Sequence, residues 1–510
     1  SLTYPASCVK LVFLAAAMQW SRENGLPHDH LDEHLRLMIV ESSNVATGHV
    51  VDALSGAPNL PEATEGSEEY TAWLEARRYP ARFLDEHGLL GDQIVVHKTF
   101  PSNSGDSPTG AEALARETEG MNRMSPNLIA ELMLEIVHAA IEPEANDYMR
   151  ELLRRDRWSD HSYFGSGLPP GSINESKPGL AYDTREDVAR ILLPNGQEFI
   201  LAIFTDGRSG NSSLGTFASM LIDRLDLRRG CPARIRVTTE DVDCSLTGHW
   251  SLGELRRDRF GRTYLYHAGV GPQAQAVWDL EVPESGFYEI TVWFPQAPEL
   301  ATDAPFVVEH AGGISDPIRV DQQGRGGQWV RLGDFYLTRG GGRVILSNDI
   351  ADPHQLVIAD TVQATLWPPM SPEPGTDVIV DNDHVAPHYI ETGEWGMSPW
   401  LGHDGRTYAY GHTGTDAIAT FTAPLTEPGL YEITTHFRAG PNRATGAVFE
   451  IESADGLQTA TIDQTGQDMV WRTLGTFRFE AGDAVVRLRA DRSTGGPVVI
   501  SDALRLCLVE

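Results

Sequence analysis

Ser7 and Lys10 stand three residues apart in the stretch YPASCVKLVFLAAAMQW, which runs from Tyr4 to Trp20. The rest of that stretch reads as a buried helix, and an i,i+3 spacing puts the hydroxyl and the amine on one helix face, within hydrogen-bonding reach. Burial pushes an ammonium toward its neutral form, and a neutral amine can take a serine proton. The pair is therefore a candidate nucleophile and general base. An isolated SxxK is weak evidence, because serine and lysine are common. Cys8 lies on a different helix face and reads as a small core residue rather than a nucleophile.

Two further fragments add to it. LRLMIVESSNVATGHV holds Ser42, Ser43 and Asn44 just after an apolar helix. INESKPGLAYDTREDVARILLPNGQEFILAIFTDG puts Lys177 and Gly179 on a strand that opens a sheet. With these, residues 1–228 or so resemble the serine β-lactamase and penicillin-binding protein superfamily, specifically the class A β-lactamase-like hydrolases. That family carries SxxK, SxN and KTG in this order, a helix like NRMSPNLIAELMLEI between the last two, and a turn like LPNG between its last two strands.

The resemblance implies Ser7 as the acylated nucleophile and Lys10 as its activating base. It implies Ser42 as the proton relay to the leaving group and Asn44 as the group that orients Lys10 or the substrate amide. Lys177 supplies positive charge for a substrate carboxylate and holds Ser42. The oxyanion hole then uses the backbone N–H of Ser7 and one after Gly179, at Leu180 or Ala181; loss of one such donor typically costs ~3 kcal/mol. No metal or cofactor is implied.

The departures are as specific as the matches. The third motif reads Lys177-Pro178-Gly179, without the family's hydroxyl and without a backbone donor at the middle position. No ExxN loop supplies a deacylating glutamate; Glu112, Glu117 and Glu119 read as a solvated helix face. Six residues precede Ser7, where the family fold has a helix and two strands, so either the natural chain is longer upstream or the sheet is completed differently. The short gap from Ser7 to Ser42 removes part of the helical lobe. HKTFPSNSGDSPTG is turn-rich; its His97 and Lys98, like His161, Tyr163 and Phe164, are candidates to face the site, with a surface loop as the alternative.

The elements that must position these groups are mostly helical at first: Ser7–Trp20, Leu31–Val40, Ser67–His87, Pro126–Ile141, Asp147–Arg155 and Leu214–Leu227. SPNLIAELMLEIVHAAI begins with a serine N-cap and a proline at N1. SKPGLAYD, DVARILLP and EFILAIFTD read as strands, the last two joined at an Asn-Gly turn. The expected class is an α+β domain with an antiparallel sheet.

After Cys231 the helical signal vanishes and the chain repeats itself. GHW…GRTYLYHAG from Gly248 matches GEW…GRTYAYGHTG from Gly393, and GFYEITVWF at Gly286 matches GLYEITTHF at Gly429. VDQQGRGGQWVRLGDFYL at Val320 matches IDQTGQDMVWRTLGTFRF at Ile462, and VIADTVQ at Val357 matches VISDALR at Val499. One all-β domain per copy follows from this. The predicted division is 1–230 for the hydrolase-like domain, 231–245 linker, 246–368 module 1, 369–385 Pro-rich linker and 386–510 module 2. The copies resemble golvesin C-terminal-like, or xanthan-lyase carbohydrate-binding-like, domains, which implies two all-β sandwich domains and glycan or surface attachment. Trp250, Tyr264, Tyr266 and His267, with Trp395, Tyr408, Tyr410 and His412, are the aromatics that could stack on sugars or fill cores. Trp329 and Trp471 are expected in the cores, and Asp321 and Asp463 in turns.

Composition bounds the rest. The chain of 510 residues is 41% hydrophobic and carries a formal net charge of −32, which disfavours nucleic acid and anionic lipid as partners. No apolar run approaches the ~20 residues that span a bilayer, and no charged n-region precedes the apolar stretch after Ser7. The four cysteines show no metal-ligand spacing; Cys231 and Cys244 could bridge or stay free. The sequence therefore points to a secreted, periplasmic or surface serine hydrolase acting on an amide or ester of a small molecule, peptide or polymer, with two modules for polysaccharide or cell-surface contact. The alternative is a non-catalytic ligand- or glycan-binding protein that keeps the fold.

Overall fold

The computed structural model describes residues 2–509 apart from 92, 103–106, 183, 206–210, 270–272, 399–401 and 404–406. Part of the expected site loop, 103–106, thus lies outside the described residues. The chain divides into two compact units, residues 1–231 with Gly327–Val330, and the remainder.

In the first unit the helices are α1 (Lys10–Glu23), α2 (Asp32–Ile39), α3 (Asn44–Ser55), α4 (Glu68–Arg77), α5 (Tyr79–Glu86), α6 (Gly110–Thr118), α7 (Pro126–Val137), α8 (Asn146–Leu153) and α9 (Asn211–Arg224). Strands β1 (Ile173–Ala181), β2 (Thr184–Leu192) and β3 (Glu198–Phe204) form an antiparallel sheet in that order. The expected α+β class holds. The single helix expected over 67–87 is two, broken ahead of Pro80, which has no N–H to continue the ladder. Helix α3 was not expected, whereas α6 carries the helix face expected at Glu112 and Glu117.

Helix α1 is apolar nearly all round, so it must be enclosed on every side. Leu11 to Met18 are at most 1% exposed and form the centre of one core with α2, α3, α5 and α7. The other face of the sheet packs Ala189, Ile191 and Leu193 against Leu214, Ala218 and Ile222 of α9 and against Phe164. Both faces of β2 are covered, so its charged Glu186, Asp187 and Arg190 are buried along with its apolar residues. Tyr163 and Phe164 are buried in this second core, and His161 is exposed, so these three do not assemble with Ser7.

Each copy in the second unit repeats one topology. In the first, Val330–Leu337, Gly286–Trp293, Thr361–Leu366 and Arg234–Thr238 make a four-stranded sheet; in the second, Arg472–Phe479, Gly429–His436, Ala503–Leu508 and Asp377–Asp381 make its counterpart. A second, larger sheet packs on it, and Tyr431, Ile433 and Leu504 meet Phe421, Phe449 and Val486 in one core. The expected linkers 231–245 and 369–385 are corrected here: each contributes a strand that pairs with the last strand of its module. Their partners lie more than a hundred residues away, so no local pattern marks them.

A buried glutamine closes both copies in the same way. Gln322 donates to Ile358 O (2.8 Å) and accepts from Ile358 N (3.0 Å). Gln464 does the same with Ile500, at 2.9 Å in both directions. Asp321 and Asp463 sit in Asx turns, as expected. Trp250 and Trp395 are half-buried, each donating to a backbone oxygen three residues earlier, Thr247 and Thr392. Tyr264, Tyr408 and Trp329 are buried, whereas Trp471 is half-buried against His403 and His436. All four cysteines are free thiols.

Candidate active site

Ser7 lies in a 3-10 turn, Ala6–Val9, that leads into α1. Ala6 before it has φ 44°, a left-handed conformation that a residue with a Cβ adopts only when its surroundings impose it. Ser42 (φ 57°) and Tyr182 (φ 53°) share this strain, so three segments that meet at the cleft each carry a strained residue. Ser7 is half-buried and lines an open cleft of about 900 Å³ together with Asn44, Phe100, Leu180 and Ala181.

The segment ESSN divides its labour by position. Ser43 is the N-cap of α3, its hydroxyl accepting from Ala46 N. That leaves Ser42, just outside the helix, and Asn44, its first residue, free to face α1. Lys10 is fully buried, and its ammonium donates to Ser42 O (2.5 Å) and Asn44 Oδ1 (2.7 Å), with Ser42 Oγ at 3.4 Å. Lys177 Nζ, from the middle of β1, donates to Ser42 Oγ at 2.9 Å and to Pro178 O at 3.0 Å. Asn44 Nδ2 in turn donates to Pro101 O (3.0 Å), tying the loop above the cleft to the network. Lys10, Ser42, Asn44 and Lys177 therefore converge. The expected hydrogen bond between Lys10 and Ser7 is absent: the three acceptors of Lys10 all come from the ESSN segment.

Electrostatics set the protonation of this cluster. Burial, with Lys177 and Lys98 as neighbouring cations, pushes the Lys10 ammonium well below its ordinary value. Burial likewise brings Lys177 down to about 7. Cys8 is a core thiol, as expected; its Sγ donates to Lys177 O (3.1 Å) and burial pushes it well up.

Gly179 is where the strand meets the nucleophile turn. A Cβ there would stand 3.0 Å from Ser7 N, Pro5 O and Ala6 Cβ. Along β1 the backbone groups alternate between β2 and the free edge. Asn174 O points to the free edge, where it accepts from Arg155 N, so Pro178 and Leu180 face the same way. Proline at 178 thus removes no ladder bond, and the N–H of Leu180, rather than that of Ala181, faces the cleft.

Three expectations near the site need correction. Lys98 is not in a surface loop: it is buried in an ion pair with Glu112 at 2.8 Å, and Phe100 lies under both Lys98 and Lys10. Glu112 is accordingly no solvated face; burial raises its carboxyl pKa, and Arg77 lies 3.6 Å away. His97 is buried, its Nε2 at 3.0 Å from Gly120 O. Sequence reasoning also passed over Tyr4, Arg116 and Tyr182, which line the cleft beyond Ser7; the amphipathic GAEALARET was the one available signal.

The fold and cleft define a β-lactamase-like domain followed by two all-β modules. Residues 26–224 match the model of the Beta-lactamase enzyme family, a span that contains Ser42, Asn44 and Lys177 but begins after Ser7 and Lys10. Residues 235–366 and 378–508 each match the Golvesin C-terminal domain, and the chain belongs to the family carrying that domain. Golvesin of Dictyostelium discoideum is 35% identical over 384 residues, 73% of this chain and 66% of golvesin, so the chain spans about two thirds of that relative's length. Xanthan lyase of a Bacillus species is 29% identical over 135 residues, 26% of this chain and 14% of the lyase. Among solved structures, PBP-A aligns at 20% identity over 44% of this chain and 83% of its own, with a TM-score of 0.31.

Proposed function

We propose that the chain is a serine acyl-hydrolase or acyl-transferase in which Ser7 attacks an amide or ester carbonyl. The observation that carries this is the hydrogen-bonded convergence of Lys10, Ser42, Asn44 and Lys177 beside Ser7 at one cleft. A neutral amine has two N–H groups and one lone pair. Ser42 O and Asn44 Oδ1, both obligate acceptors, occupy the two N–H groups of Lys10. The lone pair is then left for a hydroxyl proton, from Ser42 at 3.4 Å or from Ser7 once substrate seats it. Ser7 Oγ bonds to the carbonyl carbon as its proton passes to Lys10, and Ser42, held by Lys177, carries a proton on to the leaving group. The N–H groups of Ser7 and Leu180 stabilise the oxyanion. Water or a second nucleophile then releases the acyl group.

Pro178 in place of a hydroxyl residue favours a peptidase-, amidase- or esterase-like substrate over a dedicated lactamase. The two modules, similar to part of xanthan lyase, fit attachment to polysaccharide or a cell surface, with the chain secreted, periplasmic or surface-held. The test is labelling by a fluorophosphonate and a fluorescent penicillin. An adduct that Ser7→Ala abolishes is expected. The missing Ser7–Lys10 bond favours a second reading, a non-catalytic binder on this fold; absence of any Ser7-dependent adduct would favour it over the hydrolase.

A further inference from the structure

The cleft continues past Ser7 to a cation that the proposed chemistry does not use. Arg116 of α6 lines it, and its Nη2 donates to Tyr182 OH at 3.0 Å and lies 3.5 Å from Met121 Sδ. It makes no ion pair with any described residue. Arg22, Arg36, Arg77, Arg78, Lys98 and Arg150 of this unit each hold a carboxylate. Cations of the unit without one, such as Lys10, Arg123 and Arg155, donate to backbone carbonyl oxygens instead, whereas Arg116 has a tyrosine hydroxyl and a thioether at the cleft. Glu117 also lines the cleft, but consecutive helix residues do not face each other and the two do not pair.

The position of Arg116 says which part of a substrate it would meet. Lys177, which holds Ser42 on the proton route to the leaving group, stands in the middle of the edge strand β1. Tyr182 follows five residues later, on the order of 16 Å along an extended strand, with Gly179 and Leu180 between. Tyr4 and Tyr182, with ring centroids 6.2 Å apart, wall this far end. The leaving group departs toward Ser42, so the acyl chain extends toward Tyr182.

We infer that Arg116 is an anion-recognition residue, and that the cleft selects acyl donors carrying a carboxylate on the acyl side, remote from the reacting carbonyl. The assignment of sides rests on the acyl-transfer reading above. A guanidinium offers a carboxylate two parallel charge-assisted hydrogen bonds, a fork that an ammonium or amide cannot reproduce. Tyr182 OH and the two tyrosine rings orient it.

The test has a binding arm and a turnover arm. Suberate monoanilide, which is not hydrolysed, is titrated calorimetrically into Ser7→Ala and into Ser7→Ala with Arg116→Gln; a weakening of about tenfold to a hundredfold is expected. Equal affinity within twofold overturns the anion site. In turnover, mono-p-nitrophenyl suberate is compared with its methyl ester, which shares the leaving group. Wild type should prefer the acid by a similar factor, Arg116→Gln should lose that preference, and Tyr182→Phe should fall between. An unchanged preference in Arg116→Gln overturns the proposal. Failure of both esters to show Ser7-dependent release overturns the acyl-transfer reading and the substrate half of this inference, while the calorimetric arm still decides the site.

Discussion

Lys177 Nζ donates to Ser42 Oγ across 2.9 Å, joining the middle of β1 to the strained residue ahead of α3. Ser42 is the hinge between two lysines, Lys10 and Lys177. Its removal should leave both amines in place but break the proton route, so Ser42→Ala should lower kcat by about a hundredfold to a thousandfold while retaining slow acylation by a reactive penicillin. Stopped-flow acylation measured beside steady-state turnover checks this; a kcat in Ser42→Ala equal to that of wild type would refute the relay.

The same pair predicts a pH profile. Lys177 titrates at about 7, below its ordinary value because it is buried, so its charge is present below neutrality and lost as pH rises through 7. If that charge holds Ser42 and attracts substrate, kcat/KM falls above about pH 7. Arginine stays protonated over the accessible range. Lys177→Arg should therefore remove the alkaline limb while lowering the plateau, and a limb unmoved in that variant would assign it to another group.

Gly179→Ala tests the approach of strand to nucleophile. The new methyl would sit 3.0 Å from Ser7 N, Pro5 O and Ala6 Cβ, too close for the turn to keep its place. Displacing one oxyanion donor predicts a loss of about a hundredfold or more in kcat. The stability loss should stay near 1–3 kcal/mol, as for a modest overpacking. Thermal denaturation alongside kinetics separates the two effects.

Asp187 of β2, close enough to feel the Lys177 ammonium, gives a stability prediction. It is fully buried; Oδ2 accepts from Tyr163 N, whereas Oδ1 has no partner. Burial raises its pKa from 3.8 to about 7. A raised pKa means that the folded state favours the proton: the associated stability is fully present below the unfolded pKa and is lost as pH rises through 7. Asp187→Asn keeps an acceptor for Tyr163 without the charge, so its Tm relative to wild type should rise between pH 5 and pH 8. A constant difference would disprove the buried-ionisation account.

The glutamine of each module should carry a fixed stability cost. Gln464→Ala strands Ile500 N and O in a buried site, and two unpaired groups predict about 2–4 kcal/mol. Gln322→Ala should cost the same in the other copy, by chemical denaturation with intrinsic tryptophan fluorescence. A loss below 1 kcal/mol in both would mean that water replaces the side chain.

What could be read in advance was what is local. An all-apolar α1, a hairpin marked by Asn-Gly and a duplicated β segment declare themselves within a window of a few turns. Helix α3 did not, because NVATGHVVDALS is rich in β-branched residues and glycine, and its stability comes from packing Val50, Val51 and Leu54. The strand Arg234–Thr238 was hidden because its partner is Thr361–Leu366. At the site, the residue types and order identified four groups that converge. The hydrogen bonds of Lys10 were misassigned because its acceptors come from the ESSN segment, more than thirty residues away in the chain and invisible to a local pattern. Lys98 looked like a loop residue because Glu112, which neutralises it, was expected on a solvated face rather than buried against it.

Pro178 has a consequence for how the molecule behaves among its own copies. An exposed sheet edge invites another chain to zip onto it and seed aggregates. Here the edge of β1 is already covered: Arg155 N bonds to Asn174 O, the Ser7 turn packs on Gly179, and residues 174–179 are buried. Pro178, enclosed between them, has no N–H left to satisfy, so the same edge that builds the cleft is closed to self-association.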